Sequence, residues 1–460
     1  MIGKTFYKEN IMTEELSELI IRRICECGWK AYLCGGAIRD TFLDMEPLDY
    51  DIVTDALPEE LEKIFPDRKV KNFGVSFLVT SIDGIDVSTY RSDKNFGPGR
   101  FNCVTKACQT LDEDLARRDL TINAFAVCPY TGEVVDKFGG LQDLNNKIIR
   151  FVGNPDERIY EDPVRMIRAA RFTCLIEGSL ATESFNAIVH NKDKIKNISP
   201  ERVRIELMKV MKYRKPSIFF NILHITGLLK ILIPELDNMY GHTGGQYHAE
   251  TLDIHFKLTG DYLSPKDPIL RLAGYLHDIG KVPAYDGTNF IDHEKLGAEM
   301  ASELLTRYKF TTKEKLRIES LIRFHMRSIN DLKTDKAVRR LLKVLNDNGL
   351  TFKEWFKLRV ADKKSNLKKD TSFYSKDKIK SLVLTIYRSK TLSKEPGFKI
   401  TDLKVNGNDV MKTLNIPPGI KVGMALKKLL DLVIENPEHN NKDTLIQLLL
   451  KSNYEGDLNE

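Results

Sequence analysis

The chain has 460 residues, of which 42% are hydrophobic and 30% charged, enough for roughly three domains with cores of their own and no reason to invoke disorder. Its net charge of +6 permits a nucleic-acid partner without demanding one. Seven cysteines without a Cys-x-x-Cys pair argue against a disulfide framework or structural zinc and for the cytoplasm. No apolar run nears the roughly 18 residues of a membrane span, and no signal-peptide pattern opens the chain.

In chain order, Thr13 to Cys27 reads as an amphipathic helix, with Thr13 as N-cap, Leu16, Ile20 and Ile24 on one face and Gly28 as the stop. A strand at Ala31 to Cys34 runs into the turn Gly35-Gly36, and a short helix leads to a strand carrying Asp49 and Asp51. Further extended segments fall near Lys69 to Thr80 and Ile85 to Tyr90. From Pro163 to about Leu236 strand signals fade, and helical periods dominate over Arg165 to Phe172 and Glu201 to Met211. A histidine-bearing helical block from about Gly241 ends in the lysine-rich stretch Lys363 to Asp370, a linker or RNA-facing loop, and a last helical region starts near Ser375. The expected fold class is α+β: a mixed-sheet head over 1–152, a helical neck over 153–240, a body over 241–372 and a tail over 373–460.

The chemistry concentrates in the head. Gly35-Gly36 lets the backbone approach an anion, and Arg39 adds charge, although the same dipeptide serves equally as a tight strand-to-helix connection. Side chains at i and i+2 of a strand share a face, so Asp49 and Asp51 can hold a divalent metal. With Asp86 they form a carboxylate set for two-metal nucleotidyl transfer; Asp86 also reads as an edge-strand surface acid. Arg117-Arg118-Asp119 offers cations for phosphates and a carboxylate for a ribose hydroxyl, or else a surface ion-pair cluster. Asp136 to Leu144 reads as a glycine-hinged connection. Asp162-Pro163 is a common helix start, and beyond it Arg165, Arg168 and Arg171 advance by three, winding slowly across one helix side at about 100° per residue.

These blocks, Gly-Gly-Ala-Ile-Arg-Asp, Asp-Tyr-Asp, Arg-Arg-Asp-Leu-Thr-Ile-Asn-Ala, and Glu161-Asp162-Pro163-Val164-Arg165, resemble in type and order the class II tRNA nucleotidyltransferases, the CCA-adding enzymes of the polymerase-β-like superfamily. The resemblance covers the first half by motif and the rest more loosely. It implies Mg2+ at Asp49 and Asp51, and a nucleotide-binding set of Gly35, Gly36, Arg39, Arg118, Asp119, Asp162, Arg165, Arg168 and Arg171. It also implies that Asp162 and an arginine read the base edge, favouring CTP and ATP, with tRNA as the other partner. Gly97-Pro98-Gly99-Arg100 stands where the family has a flexible loop but departs from its usual arginine-proline pattern.

His277-Asp278 near a helix end, with His255 before it and Asp362 after, resembles the HD metal-dependent phosphohydrolases; His293 and His325 are spaced to serve a second metal. Mixed imidazole and carboxylate ligands suit Mn, Fe, Ni or Zn. The resemblance implies action on damaged or cyclic-phosphate RNA ends, or a vestigial domain. In the tail, Val405 to Val410 and Ile416 to Gly423 read as helix, glycine-rich turn and helix with Lys421, Lys427 and Lys428 nearby, either a join between core helices or, as in the family, a tRNA contact. The expected activity is template-independent addition of C, C and A to tRNA. Poly(A) polymerases and A-only or CC-only enzymes share nearly all these motifs, and an HD phosphohydrolase with a degenerate head or a non-catalytic RNA-binding protein remain the rivals from other classes.

Overall fold

The computed structural model describes residues 2–47, 49–72, 78–95, 103–245, 249–328, 332, 334–368, 384, 387–388, 391–392 and 399–451. It divides into two compact units, residues 1–238 with 307–309, and residues 239–306 with 310–460.

The first unit opens on the helix Ile2–Glu26, which starts upstream of the expected position, so Thr13 lies inside it and is no N-cap. Ile20, Ile21 and Ile24 are fully buried in the head core, and Gly28, at φ 90°, takes the left-handed turn after the helix. The strands of the head are β1 (Ala31–Cys34), β2 (Asp51–Thr54), β3 (Val70–Asn72), β4 (Val79–Ile82), β5 (Ile85–Thr89), β6 (Arg91–Asn95), β7 (Cys103–Ala107), β8 (Ala126–Val127) and β9 (Val134–Val135). Seven form one sheet in the order β3-β4-β5-β2-β1-β8-β9, while β6 and β7 pair as a separate two-stranded sheet.

Every pairing in the large sheet is antiparallel except β2 with β5. There Ile52 stands opposite Val87, and both are fully buried. Side chains alternate along a strand, so the register that buries this pair turns Asp51 and Asp86 together to the exposed face. Asp49 is not on the strand. Cys34, the last residue of β1, is already opposite Asp51, and the chain then leaves the sheet at Gly35, so no ladder partner exists for a residue before Asp51.

The neck of the first unit is largely helical, with Pro155–Glu161, Val164–Ile176, Thr182–Asn191, Pro200–Val210 and Ser217–Ile225. A two-residue parallel pair joins Ile148–Ile149 of the head to Ser179–Leu180 in the neck, and the latter is a strand that was not expected there. Asp162 accepts the Val164 amide at 3.2 Å and so caps the helix Val164–Ile176. The apolar face of that helix, Met166, Ile167, Ala169 and Ala170, is fully buried.

In the second unit the histidine body is built from Leu252–Tyr262, Pro268–Leu276, His293–Arg307, Thr312–Phe324 and Phe352–Ser365. A Cβ on Gly280 would lie 2.2 Å from the His293 carbonyl oxygen, so only glycine allows the two segments to approach this closely. The tail helices Gly407–Leu414, Ile420–Glu435 and Lys442–Lys451 enclose a small core around Val410, Leu429 and Leu445. Lys421, Lys427 and Lys428 are exposed. Gly97-Pro98-Gly99-Arg100, together with Lys369 and Asp370, lies outside the described residues. Among the described residues no helix is long and apolar enough to cross a membrane.

Candidate functional site

Gly35 is the hinge on which the head site is built. Its φ of 77° and ψ of −122° suit glycine alone, and a Cβ there would meet Arg118 Nη1 at 2.9 Å. The turn therefore admits the Arg118 guanidinium against its backbone. Arg118 reaches the Asn123 carbonyl at 3.3 Å and Asp114 at 3.3 Å. Its buried Nε has no hydrogen-bond partner among the described residues. Burial raises the Asp51 carboxyl above the usual range; Arg118 opposes this, while the Asp49 and Asp86 charges add to it. The charges of Asp49 and Asp86 thus reach Asp51, but the three acids are not gathered as closely as the ligand groups of the histidine body.

Arg39, following Gly36 in the helix Gly36–Phe42, is buried rather than free in solvent. It donates to Asn123 Oδ1 at 2.6 Å and Asp40 Oδ1 at 2.6 Å. The Phe172 ring lies beneath three guanidinium groups, with centroid distances of 4.7 Å to Arg39, 5.4 Å to Arg168 and 3.9 Å to Arg171. An aromatic face attracts such cations through its quadrupole, so this one side chain gathers basic groups from the glycine-turn helix and the neck.

The three neck arginines have different surroundings. Arg165 pairs with Glu161 and donates to the Arg117 carbonyl at 3.0 Å. Arg168 donates to Asp119 Oδ2 at 2.6 Å. Arg171 is turned inward, only 6% exposed, against Glu206 at 2.5 Å and the Tyr213 hydroxyl at 2.6 Å. Asp162 is held by both arms of Arg202 at 2.9 and 2.5 Å. Burial alone would raise Asp119, but the Arg168 charge and hydrogen bonds from Arg168 and Asn123 outweigh it and hold the carboxyl well below the usual range. Asp114, Asn123, Phe172, Arg202 and Glu206 were not among the expected residues. Arg202 and Glu206 sit four apart on the helix Pro200–Val210, a spacing that puts both on one face and was the signal available for them.

The six expected residues of the histidine body converge. His255, His277 and Asp278 form one group, and Asp278, His293 and His325 a second; in each, one ligand atom per residue lies within 4.8 Å of the others. Asp278 Oδ1 is 3.5 Å from the Nε2 atoms of both His293 and His325, and Oδ2 is 3.2 Å from that of His277. Asp362 Oδ1 lies 3.1 Å from His255 Nε2. Among the described residues, Asp278 Oδ1 and the Nε2 atoms of His277 and His293 are buried without a hydrogen-bond partner, while Asp278 Oδ2 has the Lys281 ammonium at 2.7 Å. Unpaired groups in such a setting are costly, and a divalent cation would satisfy all of them, so the donor set fits a metal. Among the described residues these are the only two groups of three ligands gathered so closely.

Burial opposes charge on His255, but hydrogen bonds to Asp362 and Glu250 and the Asp278 charge prevail and raise its pKa to about 9. Burial, aided by His277 and His293, takes His325 the other way, to about 4. Beside the centre is a cavity of about 390 Å³ whose wall includes Lys281, Phe290, Met326, Arg359 and Lys363. Cations for a phosphate thus face apolar surface for a base.

Three family models match the chain in succession: the poly A polymerase head domain over residues 31–150, the probable RNA and SrmB-binding site of polymerase A over 179–240, and the HD domain over 246–350. The CCA-adding enzyme of Ligilactobacillus salivarius is 30% identical over 447 residues, covering 95% of this chain and 97% of the relative. The multifunctional CCA protein of Stenotrophomonas maltophilia is 33% identical over 316 residues, 65% of this chain and 76% of its own. The crystal structure of the Bacillus stearothermophilus CCA-adding enzyme in complex with CTP is similar in fold, with a TM-score of 0.68 at 24% identity, covering 96% of this chain and 98% of the other. The Thermotoga maritima CCA-adding enzyme complexed with tRNA gives a TM-score of 0.57 at 19% identity, covering 95% and 94%.

Proposed function

Because the chain belongs to the CCA-adding enzyme family, we infer that it adds C, C and A to the 3′ end of tRNA from CTP and ATP without a nucleic-acid template, and that it does so in the cytoplasm. The observation that carries the assignment of chemistry to the head is the parallel register of β2 and β5, which sets Asp51 and Asp86 side by side near a glycine turn backed by Arg118.

Asp49, Asp51 and Asp86 are the catalytic carboxylates, and Asp49 and Asp51 hold the Mg2+. That ion, when bound, neutralises the triphosphate and lowers the pKa of the attacking hydroxyl. The tRNA 3′-oxygen forms its bond to the α-phosphorus as the bond to the β-phosphate bridging oxygen breaks; the hydroxyl proton passes to water and pyrophosphate leaves. Gly35, Gly36, Arg39 and Arg118 position the phosphates, and Asp119 and Arg168 bound the sugar side. Asp162 and Arg165 read the base: a carboxylate accepts from the exocyclic amine that C and A share, and an arginine donates to their acceptors. Arg171 acts from within, fixing Phe172 beneath the other guanidiniums.

The test is extension of a tRNA ending at its discriminator base, with each nucleotide supplied separately and together. CTP alone gives two added residues, and CTP with ATP gives three and then stops. Unlimited tailing with ATP alone would identify a poly(A) polymerase, and a stop at two with both nucleotides a CC-only enzyme.

The orphaned buried donors of the histidine body favour a second activity there, metal-dependent phosphohydrolysis at RNA ends with Mn, Ni, Fe or Zn. An Asp49→Ala variant that cannot extend tRNA should still release phosphate from RNA carrying a 3′-terminal phosphate when Ni2+ is supplied. Loss of both activities in that variant would return the hydrolysis to the head.

A further inference from the structure

The four histidines around Asp278 are not oriented in the same way. His277, His293 and His325 each direct Nδ1 at a backbone carbonyl three residues earlier, Gly274 at 2.8 Å, Phe290 at 2.7 Å and Ile322 at 2.6 Å. A carbonyl only accepts, so Nδ1 carries the hydrogen in each, and each Nε2 offers its lone pair to the centre. His255 is the exception. Its Nδ1 faces Glu250 Oε1 at 3.1 Å, while Nε2 points to Asp362 and Asp278.

Glu250 is itself fixed on its other side. Oε2 accepts the Leu367 amide at 2.9 Å and the Ala249 amide at 3.2 Å, and the side chain is fully buried. Leu367 lies two residues beyond the end of the helix Phe352–Ser365, which carries Asp362. One carboxylate therefore clamps His255 and the end of the Asp362 helix together, although the two ligands are 107 residues apart. A second tie, Thr259 Oγ1 to Ser365 Oγ at 2.5 Å, joins the same helices one turn further on but touches no imidazole.

We propose that Glu250 is a positioning residue of the histidine centre: it fixes the His255 ring with Nε2 free for metal and holds His255 and Asp362 in register. This rests on the metal-binding reading of that centre. A carboxylate behind a ligating imidazole also makes the ligand more basic than a neutral carbonyl does, so His255 becomes the strongest donor of the four. Glutamine cannot replace it. With its oxygen toward the two amides, its NH2 faces Nδ1 and selects the tautomer whose Nε2 is protonated; with its oxygen toward Nδ1, its NH2 meets two N–H donors.

The experiment is titration of the chelator-stripped full-length protein with Co2+, followed by its visible spectrum and by calorimetry, in wild type, Glu250→Gln and Thr259→Val. E250Q should bind about 10–100-fold more weakly with an altered cobalt spectrum, while T259V keeps wild-type affinity. Equal affinity in E250Q, or an equal loss in T259V, overturns the proposal. Should E250Q not fold, Glu250→Asp carries the test, because it withdraws the carboxylate from Nδ1 by one methylene; undiminished affinity there would overturn it. A wild-type protein that binds no cobalt sinks the metal reading of the centre itself, a result distinct from either of the others.

Discussion

Asp51→Asn should abolish nucleotide addition, by about 1000-fold or more in kcat, without lowering the thermal stability of the metal-free protein. Asp51 is the acid at which burial and the neighbouring charges of Asp49 and Asp86 converge, with Arg118 as the opposing influence. An acid whose folded-state pKa is raised gives stability that is present below its unfolded value and lost as pH climbs through the folded one. At neutral pH its ionised form is therefore a cost to the apo fold, and an uncharged amide of the same shape removes it. Function and stability separate in opposite directions. Single-turnover extension with tRNA and CTP, beside a melting curve without metal, measures both. A D51N protein that still extends tRNA at wild-type rate would remove Asp51 from the chemistry, and a melting point well below wild type would mean the residue supports the fold.

Asp119→Asn should instead bring a large stability loss. The carboxylate is 8% exposed and accepts from Arg168, Asn123 and the Leu120 amide. Removing its charge strands a guanidinium in a partly buried site, which costs about 3–5 kcal/mol. The acid dependence has a definite sign. A carboxyl held below its ordinary value stabilises the protein at pH above the unfolded pKa of about 3.9, and that stabilisation is lost as pH falls toward the folded value. The gap between wild type and D119N, measured by urea unfolding, should accordingly be full at pH 7 and narrow in acid. A constant gap across that range would show that the pair contributes through packing alone.

What could be read from the sequence was local. The strand at 31–34, the glycine turn and the helix following Asp162 are set by patterns a few residues long, and the residues that gather in the histidine body were recoverable from their order even though Asp362 stands 107 residues from His255. What escaped was the partner of each charge. Arg168 pairs across 49 residues, Arg171 across 35 and Asp162 across 40. Three arginines at regular spacing look alike on a helix, and only the docking of Pro200–Val210 makes Arg171 an interior group. Asp49 was misplaced onto the strand for a related reason: a strand ends where its neighbour turns away, and that neighbour is defined by Gly35. The carboxylate behind His255 gave no distinguishing sign, since nothing in an isolated glutamate says which of its oxygens will be claimed by an imidazole.

The basic groups around Phe172 already have internal counter-ions: Asp40 for Arg39, Asp119 for Arg168 and Glu206 for Arg171. On the proposed reading, an incoming triphosphate would displace resident carboxylates instead of meeting bare positive charge. Its net attraction is the difference between two pairings, and once pyrophosphate forms, the same carboxylates compete to take their arginines back. On that reading each nucleotide would be held only by the difference between two pairings, which lets a second and a third take its place in turn on one growing end.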